Sequence, residues 1–205
     1  PRGASASVHV AEVFTTFISG LSHLKQKNIS RDLFKKLLIP GITGGVIGAY
    51  ILTSISGDRI KPFISAYLIL MGARILYKAF KHIQRESMGN IKAWILGLAG
   101  GFFDAVGGGG WGPIVTSTLV GDGQKPRYVI GTVNTAEFFV TVAESIAFIV
   151  GLGTLMNWQV VLGRAIGGSI AAPAAAVLCR KIPAKVLMIV VGVLIILLNI
   201  RTLFF

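Results

Sequence analysis

Two glutamates lie where a charge is expensive. Glu12 and Glu137 each stand about ten residues into an apolar stretch, and a charge at the centre of a bilayer costs several kcal/mol, so such groups usually face a cavity or a partner. Each has polar company on its own helix face. His9, Glu12 and Thr16 follow i, i+3, i+7 spacing, and so do Asn134, Glu137 and Thr141. Glu144 extends the second stripe by a further i+7 step. A protonated glutamate bonded to a neighbouring helix is the plain structural reading. Two registered polar stripes favour a pathway for ions or protons. His9-x-x-Glu12 also has metal-ligand spacing on a helix. Asn134 replaces the histidine in the second stripe, and neither an HExxH motif nor a cysteine pair is present. No metal and no cofactor is therefore expected. A histidine with a pKa near 6.5 can instead carry protons.

The second chemical feature is Phe102-Phe-Asp-Ala-Val-Gly-Gly-Gly-Gly-Trp-Gly-Pro113, inside the apolar run Ile91–Val120. Each glycine costs a helix interior roughly 1 kcal/mol against alanine, and proline about 3. Broken backbone at membrane depth survives only where protein buries it or a cavity wets it, so an interrupted apolar segment points to a transport site. The spacing predicts non-helical chain within Gly107–Gly112, including Gly108, Gly109 and Gly110, and a half-helix from about Trp111. The amides at its N-terminus would attract an anion. Asp104 could cap that terminus or accept a proton. Thr116 and Thr132 offer neutral hydroxyls, and Trp111 gates or packs. Hinge motion and close helix packing are the structural alternatives for the glycines.

These groups need elements to hold them. The chain has 205 residues, 53% hydrophobic and 14% charged, with a mean hydropathy of +0.74; soluble domains carry about 25% charged residues. The class is an all-α polytopic membrane protein. Six segments have spanning length: Ala4–Leu24, Leu37–Ile55, Pro62–Lys78, Val129–Leu152, Trp158–Leu178 and Ala184–Phe205. The broken Ile91–Val120 is a seventh. The net charge of +12 is dispersed between apolar spans, which argues against nucleic-acid binding. Gly41, Gly44, Gly45 and Gly48, and likewise Gly163, Gly167 and Ala171, form small-residue faces for close helix approach. Arg74 is expected to snorkel; Arg164, deeper in its span, either snorkels or draws anions.

The chain repeats itself. Pro1, Arg2, Val8, Ala11, Glu12, Phe14 and Thr16 recur as Pro126, Arg127, Val133, Ala136, Glu137, Phe139 and Thr141, and Gly44–Ala49 matches Gly167–Ala172. The second copy follows the glycine-broken segment. The expectation is a corresponding first segment upstream, absent from this chain. If the broken segment leaves on the side it entered, one side collects fourteen loop Lys and Arg and the other four; if it crosses, the split is ten to eight. The positive-inside rule favours re-entry. The expected fold is two inverted repeats of three transmembrane helices, 1–90 and 91–205, each preceded by a broken re-entrant segment, in a single membrane domain with its site at the repeat interface.

The stretches Ser5–Thr16, Gly107–Pro113 and Gly131–Phe139 together resemble the sulfite exporter TauE/SafE family. The resemblance implies a secondary transporter of small sulfur-containing anions such as sulfite or organosulfonates in the bacterial cytoplasmic membrane. The residues alone reach an anion transporter linked to protons, without reaching sulfur. An anion channel, or a transporter of another small anion, is the alternative. An enzyme is not expected, because no nucleophile–base constellation appears. The expected partners are a small anionic substrate, protons, lipid and a second copy in a homodimer.

Overall fold

The computed structural model describes residues 2–52, 61–81, 88–107, 109–152 and 157–204. Among them every regular element is a helix: α1 (Arg2–Lys25), α2 (Arg31–Leu52), α3 (Lys61–Phe80), α4 (Asn90–Gly107), α5 (Trp111–Gly121), α6 (Pro126–Leu152), α7 (Trp158–Lys181) and α8 (Ala184–Phe204). The expected spans correspond to α1, α2, α3, α6, α7 and α8, with ends displaced by a few residues. The loops at 58–60 and 153–156, the end of the second expected span, and Gly108 lie outside the described residues.

Among the described residues four helices are long and apolar enough to cross a membrane by composition: Pro62–Phe80, Pro126–Gly151, Trp158–Lys181 and Ala184–Thr202. The helix α1 has 24 residues, sufficient length for a crossing at about 1.5 Å per residue. Its His9, Glu12 and threonines lower its hydropathy. The helix α2 carries Arg31, Asp32, Lys35 and Lys36 in its first two turns.

Side-chain contacts fix the direction of each helix. The Arg127 guanidinium, at the start of α6, donates to Asn28 Oδ1 at 2.7 Å and to the carbonyls of Gln26 and Lys27 beyond the end of α1. Arg180, at the end of α7, donates to Gln26 Oε1 at 3.2 Å. Lys36 Nζ reaches the Met88 carbonyl. Lys185, at the start of α8, lies over the Phe80 ring at the end of α3. At the opposite end the Asn157 N–H, just before α7, donates to Ser7 Oγ at 2.8 Å. Thus α1, α3 and α7 run towards a basic end, and α2, α6 and α8 run away from it. The pair α4–α5 starts and finishes at the basic end: Lys92 Nζ and Arg74 Nη2 both hold Asp122, at 2.8 and 3.0 Å. The loops Lys25–Lys36 and Lys125–Arg127 therefore share one end of the bundle, as the charge count predicts.

Glycine sets the closest packing. The helices α2 and α4 lie backbone to backbone, since a Cβ at Gly44 would strike the Leu98 carbonyl, and one at Gly101 the Gly41 carbonyl and the Gly45 amide. The helices α3 and α8 meet at Gly72 and Gly192, each against the other's carbonyl. On α7, Gly163 and Gly167 have nothing within 4 Å of a Cβ position. The buried core joins Leu37, Ile75, Trp111, Val115, Leu119, Val133 and Val140. It places the half-helix α5 between α3 and α6.

Candidate functional site

The site begins at the break. The helix α4 stops at Gly107 and α5 resumes at Trp111, as the glycine run predicts. Gly109 has φ of +119°, a conformation that glycine adopts without steric cost. The first amides of a helix have no partner within it. Here Asp104 supplies one: its Oδ1 accepts from the Gly110 and Trp111 amides, the latter at 2.8 Å. A carboxylate at that end also suits the positive pole of the helix. Trp111 is fully buried, and its indole N–H donates to the Val133 carbonyl at 3.1 Å. Its ring fills the space left by Gly41 and Gly100.

Under the break lie the ionisable groups. Glu12 Oε1 is 3.5 Å from where a Cβ on Gly109 would stand, and Glu137 Oε1 is 3.5 Å from the equivalent point on Gly112. The two glutamates matched in the repeat thus converge on one broken segment from α1 and α6. His9 Nδ1 lies 3.2 Å from Glu12 Oε2 and 3.2 Å from Glu144 Oε2. The imidazole is fully buried and stacked on Phe148, with ring centroids 5.4 Å apart. Glu144 is also fully buried, in space that Gly45 leaves free. Among the described residues no Lys or Arg pairs with these carboxylates. Four carboxyl groups gathered in low dielectric repel one another strongly when ionised. The arrangement suits proton or cation uptake, and an anion can approach it only with compensating positive charge.

The other expected residues are placed as follows. Thr16 and Thr141 turn back to their own helices, donating to the carbonyls of Glu12 and Glu137, the second at 2.9 Å. Asn134 accepts from Ser19 Oγ at 3.0 Å and donates to the Ile130 carbonyl. Thr132 accepts from the Ser30 N–H at 2.8 Å and anchors the chain entering α2. The structure therefore brings together His9, Glu12, Asp104, Glu137 and the glycines, and gives Thr132 a local structural bond. Two of the amides assigned to an anion are held by Asp104. Glu144, an i+7 step beyond Glu137 on the second stripe, joins the gathered residues through His9.

Beside Glu12 a cavity of about 380 Å³ opens between α1 and α7, lined by Ala11, Thr15, Gly163, Arg164, Gly167 and Gly168. Arg164 supplies a positive charge to this lining, and Glu12, 19% exposed, is its other ionisable group.

Comparison with known proteins adds the following. The family model described as sulfite exporter TauE/SafE matches residues 1–202. A Bacillus subtilis (strain 168) protein, "Probable membrane transporter protein YtnM", is 42% identical over 211 residues, covering 99% of this chain and 70% of that protein. No solved structure matches the chain.

Proposed function

Because the chain belongs to the sulfite exporter TauE/SafE family, we propose that this multi-pass membrane protein is a proton-linked secondary transporter of small sulfur-containing anions, sulfite or organosulfonate-like. The observation that carries the reading is the convergence of Glu12 and Glu137 on one glycine-broken segment. The antiparallel courses of α1 and α6, α2 and α7, and α3 and α8 support two inverted repeats, 1–90 and 91–205, with this convergence at their interface.

The mechanism follows from charge. An anion drawn to the Arg164 cavity advances towards Glu12 and, beyond it, Glu137 beside the Gly112 backbone. A carboxylate close to the anion would repel it in low dielectric, so a proton must accompany the anion. Glu137 takes that proton and presents an O–H donor in place of a charge. Asp104 keeps the broken backbone in register throughout. Proton and anion then move together in whichever direction their gradients dictate.

Radiolabelled sulfite and sulfonate flux in proteoliposomes, with and without a pH gradient, tests this. Saturable counterflow that responds to the gradient is expected. Flux that does not saturate would indicate a channel, and flux of neither anion would remove the sulfur assignment.

A further inference from the structure

The repeat makes a comparison that the sequence stripes alone do not. At the offset of 125 residues that aligns the copies, Ser19 corresponds to Glu144, and His9 to Asn134. The structure pairs them crosswise: Ser19 with Asn134 at 3.0 Å, and His9 with Glu144 at 3.2 Å. Equivalent positions thus hold a neutral hydrogen bond in one place and an imidazole–carboxylate pair in the other. The neutral pair suffices to join α1 to α6. Some other requirement accounts for the ionisable one.

Asp104 completes this second position. His9, Asp104 and Glu144 are each fully buried, and one donor atom from each lies within 4.8 Å of the others. The His9–Glu144 contact does not use up the polar atoms of the set. Asp104 Oδ2, Glu144 Oε1 and His9 Nε2 have no hydrogen-bond partner among the described residues, and His9 Nδ1 has only its ion-pair contacts with Glu12 and Glu144. His9 Nδ1 is equally far from Glu12 and Glu144, so a single proton there cannot point at both. Outer contacts already orient the three groups. Two amides hold Asp104 through its other oxygen, Phe148 stacks on His9, and Gly45 leaves room for Glu144. The two amides on Asp104 are outer hydrogen bonds of the kind that orient metal ligands.

We infer that His9, Asp104 and Glu144 form a binding site for one divalent transition-metal cation. An imidazole nitrogen with two carboxylates suits Zn²⁺, Mn²⁺ or Co²⁺ rather than a hard cation that prefers oxygen alone. Ligand bonds of about 2.0–2.2 Å in tetrahedral geometry set donors roughly 3.3–3.6 Å apart, so side-chain movements of about 1 Å close the set. Glu12, exposed to the Arg164 cavity and 3.2 Å from His9, marks the route of access. The ligand set does not include Glu137, and the inference does not depend on what is transported.

The test uses the purified full chain in detergent, stripped with chelator and titrated with Co²⁺, with bound metal counted by elemental analysis. The expected result is one ion per chain, with visible d–d absorption and protection of His9 from diethylpyrocarbonate. His9→Gln, Asp104→Asn and Glu144→Gln should each weaken binding at least about tenfold, and Glu137→Gln should leave the stoichiometry unchanged. Wild-type protein that binds no stoichiometric Co²⁺, Zn²⁺ or Mn²⁺ would overturn the inference whatever the variants do, and would identify a proton network only. So would His9→Gln and Glu144→Gln proteins that bind as wild type does. Because binding is read without flux, its failure leaves the transport proposal standing, and the failure of transport leaves the metal site standing.

Discussion

Glu137 and Gly109 carry the sharpest expectations at the scale of single residues. Glu137→Gln keeps a donor of the same shape at the Gly112 backbone but cannot release a proton. Anion binding should persist while flux loses its pH dependence; in the wild type, flux should fall as rising pH deprotonates Glu137. An unchanged pH profile in that variant would make Glu137 structural. Gly109 has φ of +119° and faces Glu12. Gly109→Val places a β-branched residue in a conformation it strongly resists, and flux should vanish. Asp104→Ala leaves two amides of α5 unpartnered and should cost about 1–2 kcal/mol, read as a lowered melting temperature. Asp104→Asn keeps the accepting oxygen and should lose less.

Among the elements, the decisive contrast is between the two glycine faces. The α2 face is filled: Gly44 and Gly48 rest against carbonyls of α4, and Gly101 returns the contact. Gly101→Val should wedge α2 from α4 and abolish monodisperse folded protein. The matching α7 face is open at Gly163 and Gly167. Gly167→Ala should keep or slightly raise thermal stability, since alanine gains up to about 1 kcal/mol over glycine in a helix. Size-exclusion profiles and melting temperatures of the two variants separate these outcomes. A Gly167→Ala protein that folds as poorly as Gly101→Val would show that the α7 face is also closely packed.

Across the whole molecule, the basic loops gather at one end, and Lys92 and Arg74 tie both ends of the broken segment to it through Asp122. Cys179 is the single cysteine and is buried, so a Cys179→Ala background suits labelling. Lys25→Cys and Lys125→Cys should react with an impermeant thiol reagent from one face of the membrane, and Gln159→Cys from the other. Labelling of Lys25→Cys and Lys125→Cys from opposite faces would remove the re-entrant arrangement of α4–α5.

The sequence by itself determined the helical membrane class, the break near Gly109 and the two matched glutamates. Each rests on a local or periodic property: apolar length, the helix cost of glycine, and a repeat visible in residue identity. It also pointed to the gathering of basic loops, because Lys and Arg counted by loop need no coordinates. Only the tertiary structure decided how these groups meet. That Asp104 takes the amides of Gly110 and Trp111 depends on how the chain turns between two half-helices. That Thr132 serves the α1–α2 loop depends on α6 lying antiparallel to α1. Glu144 stood in the sequence as an extension of a stripe. It joins His9 because antiparallel helices bring residues far apart in the chain to one level, a relation set by packing and carried by no local spacing.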